Sequence, residues 1–354
     1  MKASTKVFPN EIKLDFEYTM NIKNSILFLG DVVPYKPFKF RNSHQTVFNL
    51  ECPITKDGNP AKEKINIRVK ENYLQNIFNS NILCVSLGNN HILDYGEKGL
   101  DSTLKELEKS NINYFGLNTG NDDNFNPLVL ELNNIKIAFI SVVCQTTSPV
   151  LELDNVIYLS SLNLNEIINR VLKIRKLVNR VVVSIHWGEE ESSYPKKEDI
   201  FIARKLIDGG VDLIIGSHAH APQPIEKYKN GVIAYNLGNF LMPEMKNIPT
   251  YFDEKGLPLS TYSKNLMMWN RISWGLIIDM ENMEYKIKKF IFLFDRIIEL
   301  PFTPLDKYIE LKQDLFNASY ELIVKNHLKK RDIYRKIIEF IYKPHIPEKL
   351  KKIL

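Results

Sequence analysis

Four of the seven histidines in this chain of 354 residues, His91, His186, His218 and His220, stand where a short apolar run gives way to polar residues, and Asp31, Glu51 and Asn90 occupy equivalent places. Carboxylate oxygen, amide oxygen and neutral imidazole together suit borderline divalent ions such as Mn²⁺, Zn²⁺ or Fe²⁺, whereas a Mg²⁺ or Ca²⁺ site would draw almost wholly on oxygen. His218 and His220 are two apart, so in extended backbone both imidazoles point one way and reach adjacent metals. A carboxylate, with two oxygens, can bridge such a pair. Two ions roughly 3.5–4 Å apart acidify a bridging water and neutralise phosphoryl oxygens, which is phosphoesterase chemistry. His91, next to Asn90, is then placed to stabilise a transition state or protonate a leaving oxygen. Glu190, close behind His186, is placed to orient a metal-bound histidine or to act as a general base.

Taken singly, each residue also has a structural reading. Asp31 after Gly30 suits a turn, Glu51 before Cys52-Pro53 an exposed strand end, Asn90 a tight turn after Gly88, and a lone His186 a hydrogen-bonded histidine. The His218-Ala219-His220 pair between Gly216 and Pro222 already favours metal, and the order and spacing of the whole set decide for a site. Tyr194, Tyr235, Trp269 and Trp274 read as packing residues, and His44, His327 and His345 as surface or structural ones.

Residues so far apart converge only if buried strands deliver them. Six apolar runs, at 26–29, 46–48, 82–87, 181–185, 213–215 and 232–237, each end on one of these residues or on the Gly238-Asn239-Phe240 turn. Helical periodicity over 99–109, 164–178 and 198–208 places helices between them, so the pattern predicts an α/β (α+β) fold. Two runs between 128 and 143 flank Asn133-Asn134, a hairpin signal that makes the sheets mixed. The segment 241–270, with Pro243, Pro249, Pro258 and Gly256, reads as a long loop or lid; a closing hairpin follows at 274–279 and 285–294, then helices over 306–342. The predicted division is an N-terminal extension 1–24, a domain 25–300 and basic C-terminal helices 301–354.

An apolar fraction of 44% supports a sizeable core, and a net charge of +5 with pI about 8.8 is only mildly basic, so no nucleic acid is expected as partner. Cys52, Cys84 and Cys144 are too few and too scattered for a disulfide framework. No apolar stretch long enough to span a bilayer is present in 1–24, which predicts a cytoplasmic protein, with peripheral contact at the inner face of the membrane left open. Phosphate-loop, dinucleotide and serine-elbow motifs are absent, giving no support to an ATP-driven ligase, an oxidoreductase or a serine hydrolase. The excess of Lys and Arg over 329–352 reads as a solvated helical face, or else as a surface for an anionic membrane or a partner.

Gly30-Asp31-Val32, Asn49-Leu50-Glu51-Cys52-Pro53, Asn89-Asn90-His91 through Asp94-Tyr95-Gly96, His186-Trp187-Gly188-Glu189-Glu190, Gly216-Ser217-His218-Ala219-His220 and Asn236-Leu237-Gly238-Asn239-Phe240 resemble, in order, the blocks of the CapA family of capsule and poly-γ-glutamate synthesis proteins within the calcineurin-like metallophosphoesterases. The resemblance implies a four-layer αββα sandwich with two divalent transition metals (Mn, Zn or Fe) on Asp31, Glu51, Asn90, His186, His218 and His220. His91 would be the acid, Asn239 would bind substrate, and Val33 and Glu51 stand where relatives have a histidine and a bridging aspartate, which implies one thinner metal position. The function implied is a metal-dependent hydrolase or transferase acting on an acidic polymer or a phosphate-containing precursor, or a non-catalytic accessory subunit that holds capsule synthase subunits. A nucleotide or nucleic-acid phosphoesterase is the remaining alternative.

Overall fold

Continuous burial is what these apolar runs predict for strands covered on both faces, and β1 (Ser25–Val32) is buried at all eight positions. The computed structural model describes residues 21–37, 39–62, 64–79, 81–117, 127–147, 158–159, 164–252, 257–293, 295–306, 309 and 320–341; most of the expected N-terminal extension, residues 307–308 and 310–319 of the predicted helical stretch, and residues 342–354 lie outside them. The first sheet runs β17 (Arg296–Leu300), β16 (Tyr285–Leu293), β15 (Ile272–Asp279), β1, β2 (Gln45–Leu50), β3 (Ile82–Ser86) and β4 (Asn113–Phe115), with β12 (Asn239–Leu241) pairing parallel to the end of β1. The second runs β10 (Ile225–Tyr228), β11 (Gly231–Ala234), β9 (Leu213–Ser217), β8 (Arg180–His186), β6 (Ile135–Cys144) and β5 (Leu128–Leu132), with β7 (Tyr158–Leu159) beside β6. The central strands are parallel and the hairpins at the edges antiparallel. The two-residue turn between β5 and β6 is the expected one, Asn133 and Asn134 both taking positive φ.

Alternation along the strands builds four layers. Ile26, Phe28 and Val47 of the first sheet pack against Phe139, Val182 and Leu213 of the second in one cluster between the sheets. The opposite faces of the same strands carry Leu27, Phe48 and Val85 against α1 (Leu74–Phe78) and α2 (Gly96–Lys109), and Val181, Val183 and Ile214 against α3 (Leu164–Arg175) and α4 (Lys197–Asp208). The αββα sandwich is therefore present. The segment 241–270 holds more order than a loop: β13 (Met245–Phe252) and β14 (Pro258–Lys264) form a separate hairpin, and a short α5 (Met268–Arg271) follows. α6 (Tyr320–Ile341) packs Tyr320 and Val324 on the second sheet's outer layer.

Gly30 shows how tightly the strands meet at the site. A Cβ there would lie 1.8 Å from Gly238 O, which is backbone and has little room to yield. Gly30→Ala is expected to cost at least about 3 kcal/mol, a fall of several degrees in Tm by thermal scanning, whereas Gly96→Ala, where no atom lies within 4 Å, is strained only by its positive φ.

A second expectation concerns Asp199, near the start of α4, which accepts the Lys196 N–H at 3.0 Å; burial holds its carboxyl up at about 6. A raised folded pKa means that the stability it contributes is complete below its unfolded value of 3.8 and is lost as pH rises to 6. Urea titrations should show wild type losing about 2–3 kcal/mol across that window relative to Asp199→Asn, and parallel profiles for the two would refute the assignment.

Candidate metal centre

The carboxyl ends of the parallel strands converge, as doubly covered sheets require of a ligand site. β1 carries Asp31 as its next-to-last residue, β2 leads into Glu51, the turn after β3 carries Asn90 and His91, β8 ends on His186, and β9 leads into His218 and His220. Asp31, Glu51 and His186 have no exposed surface at all, and His218 and His220 are 6% and 9% exposed.

Two clusters of ligand atoms form, Glu51 with His186 and His218, and Asp31 with Glu51 and His220; within each the atoms lie within 4.8 Å of one another, and Glu51 belongs to both. Glu51 Oε1 is 3.9 Å from His186 Nε2 and 3.8 Å from His220 Nε2, yet neither carboxylate oxygen has a hydrogen-bond partner. Asn90 Oδ1 joins the first cluster at 3.0 Å from His186 Nε2, and His218 Nδ1 lies 3.2 Å from the same nitrogen. One side thus gathers four donors and the other three, with Val33, 2% exposed, packed in the apolar core behind.

Neighbouring groups fix the imidazoles. Ser217 Oγ donates to Ile185 O at 3.4 Å and so accepts from His186 Nδ1–H at 2.9 Å, leaving Nε2 facing the cluster. Asn239 Oδ1 accepts from His220 Nδ1 at 2.9 Å while its amide donates to Asn270 O, and Asn270 in turn donates to His220 O. Asn239, read from sequence as a substrate binder, is 2% exposed and engaged at both ends of its amide. The backbone at the histidine pair departs from the extended form assumed from spacing. His218 has φ 91° and His220 φ 54°, a left-handed excursion that sends the two rings to different clusters rather than side by side.

Burial and then the neighbouring His218 charge hold His186 well below the usual imidazole range, and burial followed by His220 brings His218 down to about 3. Burial, reinforced by Asp31, drives the Glu51 carboxyl well up. His220 is the exception: burial pulls it down, but Glu51 and the Asp31 contact outweigh this and hold it at about 9. Three imidazoles and two carboxylates around so few protons, one carboxylate wholly orphaned, fit divalent cations, which offset a desolvation that the protein alone leaves uncompensated.

His91 lies at the edge, with Nδ1 2.8 Å from Asp94 Oδ2, so the ring presents Nε2 outward. Asp94 has no exposed surface, also accepts Ile67 N–H, and pairs with Lys64 Nζ at 2.5 Å. Lys64 further donates to Asn90 O. Glu190 is half-exposed beside Lys264. Burial raises its carboxyl, but Lys264, His220 and His218 carry it down to about 2. A carboxylate held that low is a weak base, and its geometry is that of an ion-pair partner to Lys264, which also meets Glu191 at 3.1 Å.

Lys64, Lys264 and Asn270 gave no sign in the sequence, since each reaches the site from a segment distant in the chain, Lys64 from a loop, Lys264 from the end of β14 and Asn270 from α5. Asp94 carried a usable signal, an acid one helical turn after His91.

Residues 28–244 match the model of the bacterial capsule synthesis protein family PGA_cap. The capsule biosynthesis protein CapA of Bacillus anthracis is 27% identical over 221 residues, which are 60% of this chain and 53% of that protein. The PGA biosynthesis protein CapA of Bacillus subtilis (strain 168) is 29% identical over 217 residues, 58% of this chain and 55% of that one. The chain thus spans about half the length of the curated relatives it matches. Among solved structures, the 5'-nucleotidase precursor from Thermus thermophilus aligns over 75% of this chain and 54% of its own at 14% identity and a TM-score of 0.39, too remote to bear on the site.

Proposed function

The chain belongs to the bacterial capsule synthesis protein family PGA_cap, and from that membership we propose that it is a metal-dependent hydrolase or transferase of capsule or surface-polymer assembly. The observation that carries this reading is Glu51, a fully buried carboxylate without a hydrogen bond that belongs to both ligand clusters. Glu51, Asn90, His186 and His218 would hold one divalent transition ion, and Asp31, Glu51 and His220 a second. When bound, such ions supply positive charge to phosphoryl or acyl oxygens and lower the pKa of water. Ser217 and Asn239 keep the ring nitrogens of His186 and His220 turned inward, and Asp94 holds a proton on His91 Nδ1 so that Nε2 can serve the leaving oxygen. The substrate class that fits is an acidic polymer or a phosphate-containing precursor. A cytoplasmic location, peripheral to the membrane, goes with this reading; among the described residues no helix is long and apolar enough to cross a bilayer.

A second reading, an accessory subunit that holds synthase subunits without turnover, is favoured by the exposed lysines of α6. Elemental analysis of protein purified without chelator, followed by a panel of phosphoesters and γ-glutamyl compounds, separates the two. About two transition ions per chain, with turnover removed by chelation and restored by Mn²⁺ or Zn²⁺, is the expected result. Full metal without turnover of any substrate selects the accessory reading, and substoichiometric metal throughout removes the metal centre itself.

A further inference from the structure

The hairpin of β13 and β14 begins just past residue 244, where the match to the capsule family ends, and belongs to neither main sheet. An isolated two-stranded hairpin is marginal in water, so its neighbours must hold it. Its outer face contributes little, Tyr251 and Leu259 being 49% and 69% exposed. Met245 packs the base onto the first-sheet core, and beyond the base the hairpin is attached on two sides. On one side Thr250, itself buried, donates from Oγ1 to Lys64 O at 2.9 Å and forms an antiparallel bridge with Ile65, while Phe252 N–H donates to Lys62 O at 3.1 Å. The Lys64 side chain, 15% exposed, then runs inward, where its ammonium donates to Asn90 O and meets Asp94 Oδ1 at 2.5 Å. On the other side Lys264, the last residue of β14 and 16% exposed, meets Glu190 at 3.4 Å and Glu191 at 3.1 Å. Glu191 N–H in turn donates to Ala219 O at 2.6 Å, between His218 and His220.

Asn90 follows β3 of the first sheet and His186 ends β8 of the second, yet the two meet at 3.0 Å in the four-donor cluster. Strand pairing fixes each of them within its own sheet, whereas the hairpin is attached to the segments behind both. Burying an ammonium costs energy that only close acceptors offset, and for both lysines those acceptors lie on the segments that carry the candidate ligands. We propose that the hairpin is a strap holding Asn90 and His186 in register across the seam between the sheets, with Thr250, Lys64 and Lys264 as its positioning residues. Lys64 acts on Asn90 through its carbonyl and on His91 through Asp94. Lys264 acts on the segment 187–191 behind His186. The coupling is reciprocal: loosening the hairpin weakens whatever Asn90 and His186 bind, and binding between them tightens the hairpin. Its consequence for metal rests on the reading of Glu51, Asn90, His186 and His218 as ligands, and the mechanical link between the two segments does not.

Hydrogen exchange of the full chain in chelator, read by mass spectrometry, tests the link, with Thr250→Val as the principal variant because it removes one hydroxyl and keeps shape and charge. Exchange faster by about tenfold, the size of one lost hydrogen bond, is expected in 64–67 and 89–94 and also, across the hairpin, in 187–191. Thr250→Ser should restore wild-type exchange in all three segments, and Thr261→Val, at an exposed position of β14, should change none of them by more than about twofold. Lys264→Met should loosen the same three segments from the other side, and Thr250→Val decides alone if that variant does not fold. Mn²⁺ titration followed by electron paramagnetic resonance should show Thr250→Val weakening one ion by at least about tenfold, the usual effect of removing a supporting contact. Faster exchange confined to 64–67 and the hairpin, failure of Thr250→Ser to restore it, or unchanged Mn²⁺ affinity in a variant that loosens all three segments would overturn the strap. Wild type that binds no Mn²⁺, while Thr250→Val still loosens 187–191, would instead remove the metal centre and leave the strap standing.

Discussion

Glu51→Gln is expected to abolish the stabilisation that divalent metal confers while making the metal-free protein more stable than wild type. Both carboxylate oxygens of Glu51 are buried without a hydrogen bond, and Asp31 adds like charge beside them. Without metal the residue is therefore a liability, and a neutral amide of the same shape should relieve about 1–3 kcal/mol of it. With metal the sign reverses, because a ligand common to both clusters is lost at one stroke. Ions at about a thousandfold over Kd stabilise a folded protein by about 4 kcal/mol, a shift that the variant should lose almost entirely. Thermal scanning of chelated protein with and without Mn²⁺ or Zn²⁺ measures both halves. A metal-free variant less stable than wild type would show that Glu51 is a structural acid held by contacts of its own.

The candidate ligands of the site are legible in the sequence, whereas most of the groups that support them are not. The candidate ligands sit at the ends of strands whose apolar runs are local and periodic, so Asp31, Asn90, His186, His218 and His220 can be placed by reading along the chain. The alternation that divides Leu27 from Phe28, one toward the helices and one toward the second sheet, is likewise a property of neighbouring residues. Conformation at the histidine pair is not local in this sense. Left-handed backbone at His218 and His220 is imposed by the chain packed around them: Gly216 has no room for a Cβ, which would lie 1.8 Å from Tyr235 O, and Ala219 O accepts the Glu191 N–H at 2.6 Å.

The segment 241–270 departs from its sequence reading for a related reason. Two of its three prolines, Pro249 and Pro258, which argue for a loop in isolation, fall in a two-stranded hairpin outside both sheets, where edge positions tolerate a missing N–H. The hairpin spans the mouth of the centre, with Lys264 meeting Glu190 and Glu191 on one side and Thr250 Oγ1 donating to Lys64 O at 2.9 Å on the other. α6 shows the same limit. Its lysines are visible as composition, but only the fold sets Tyr320, His327 and Arg331 against the segment 190–195.

His91→Ala should lower turnover of a model phosphodiester by about 10²–10⁴ with bound metal unchanged, the range that a positioned proton donor contributes. His91 belongs to neither ligand cluster, so its loss leaves the metal donors in place. The test of its orientation lies one contact further back. Asp94→Asn removes the acid that fixes the ring, but it also strands Lys64, whose side chain is 15% exposed, and so should cost about 3 kcal/mol in stability by itself. Adding Lys64→Met removes the stranded charge and should recover most of that stability without recovering turnover. Recovery of both would mean that Asp94 acts on the fold alone. Full activity in His91→Ala would withdraw the proton-donor role, and with it the strongest reason to regard the centre as catalytic rather than structural.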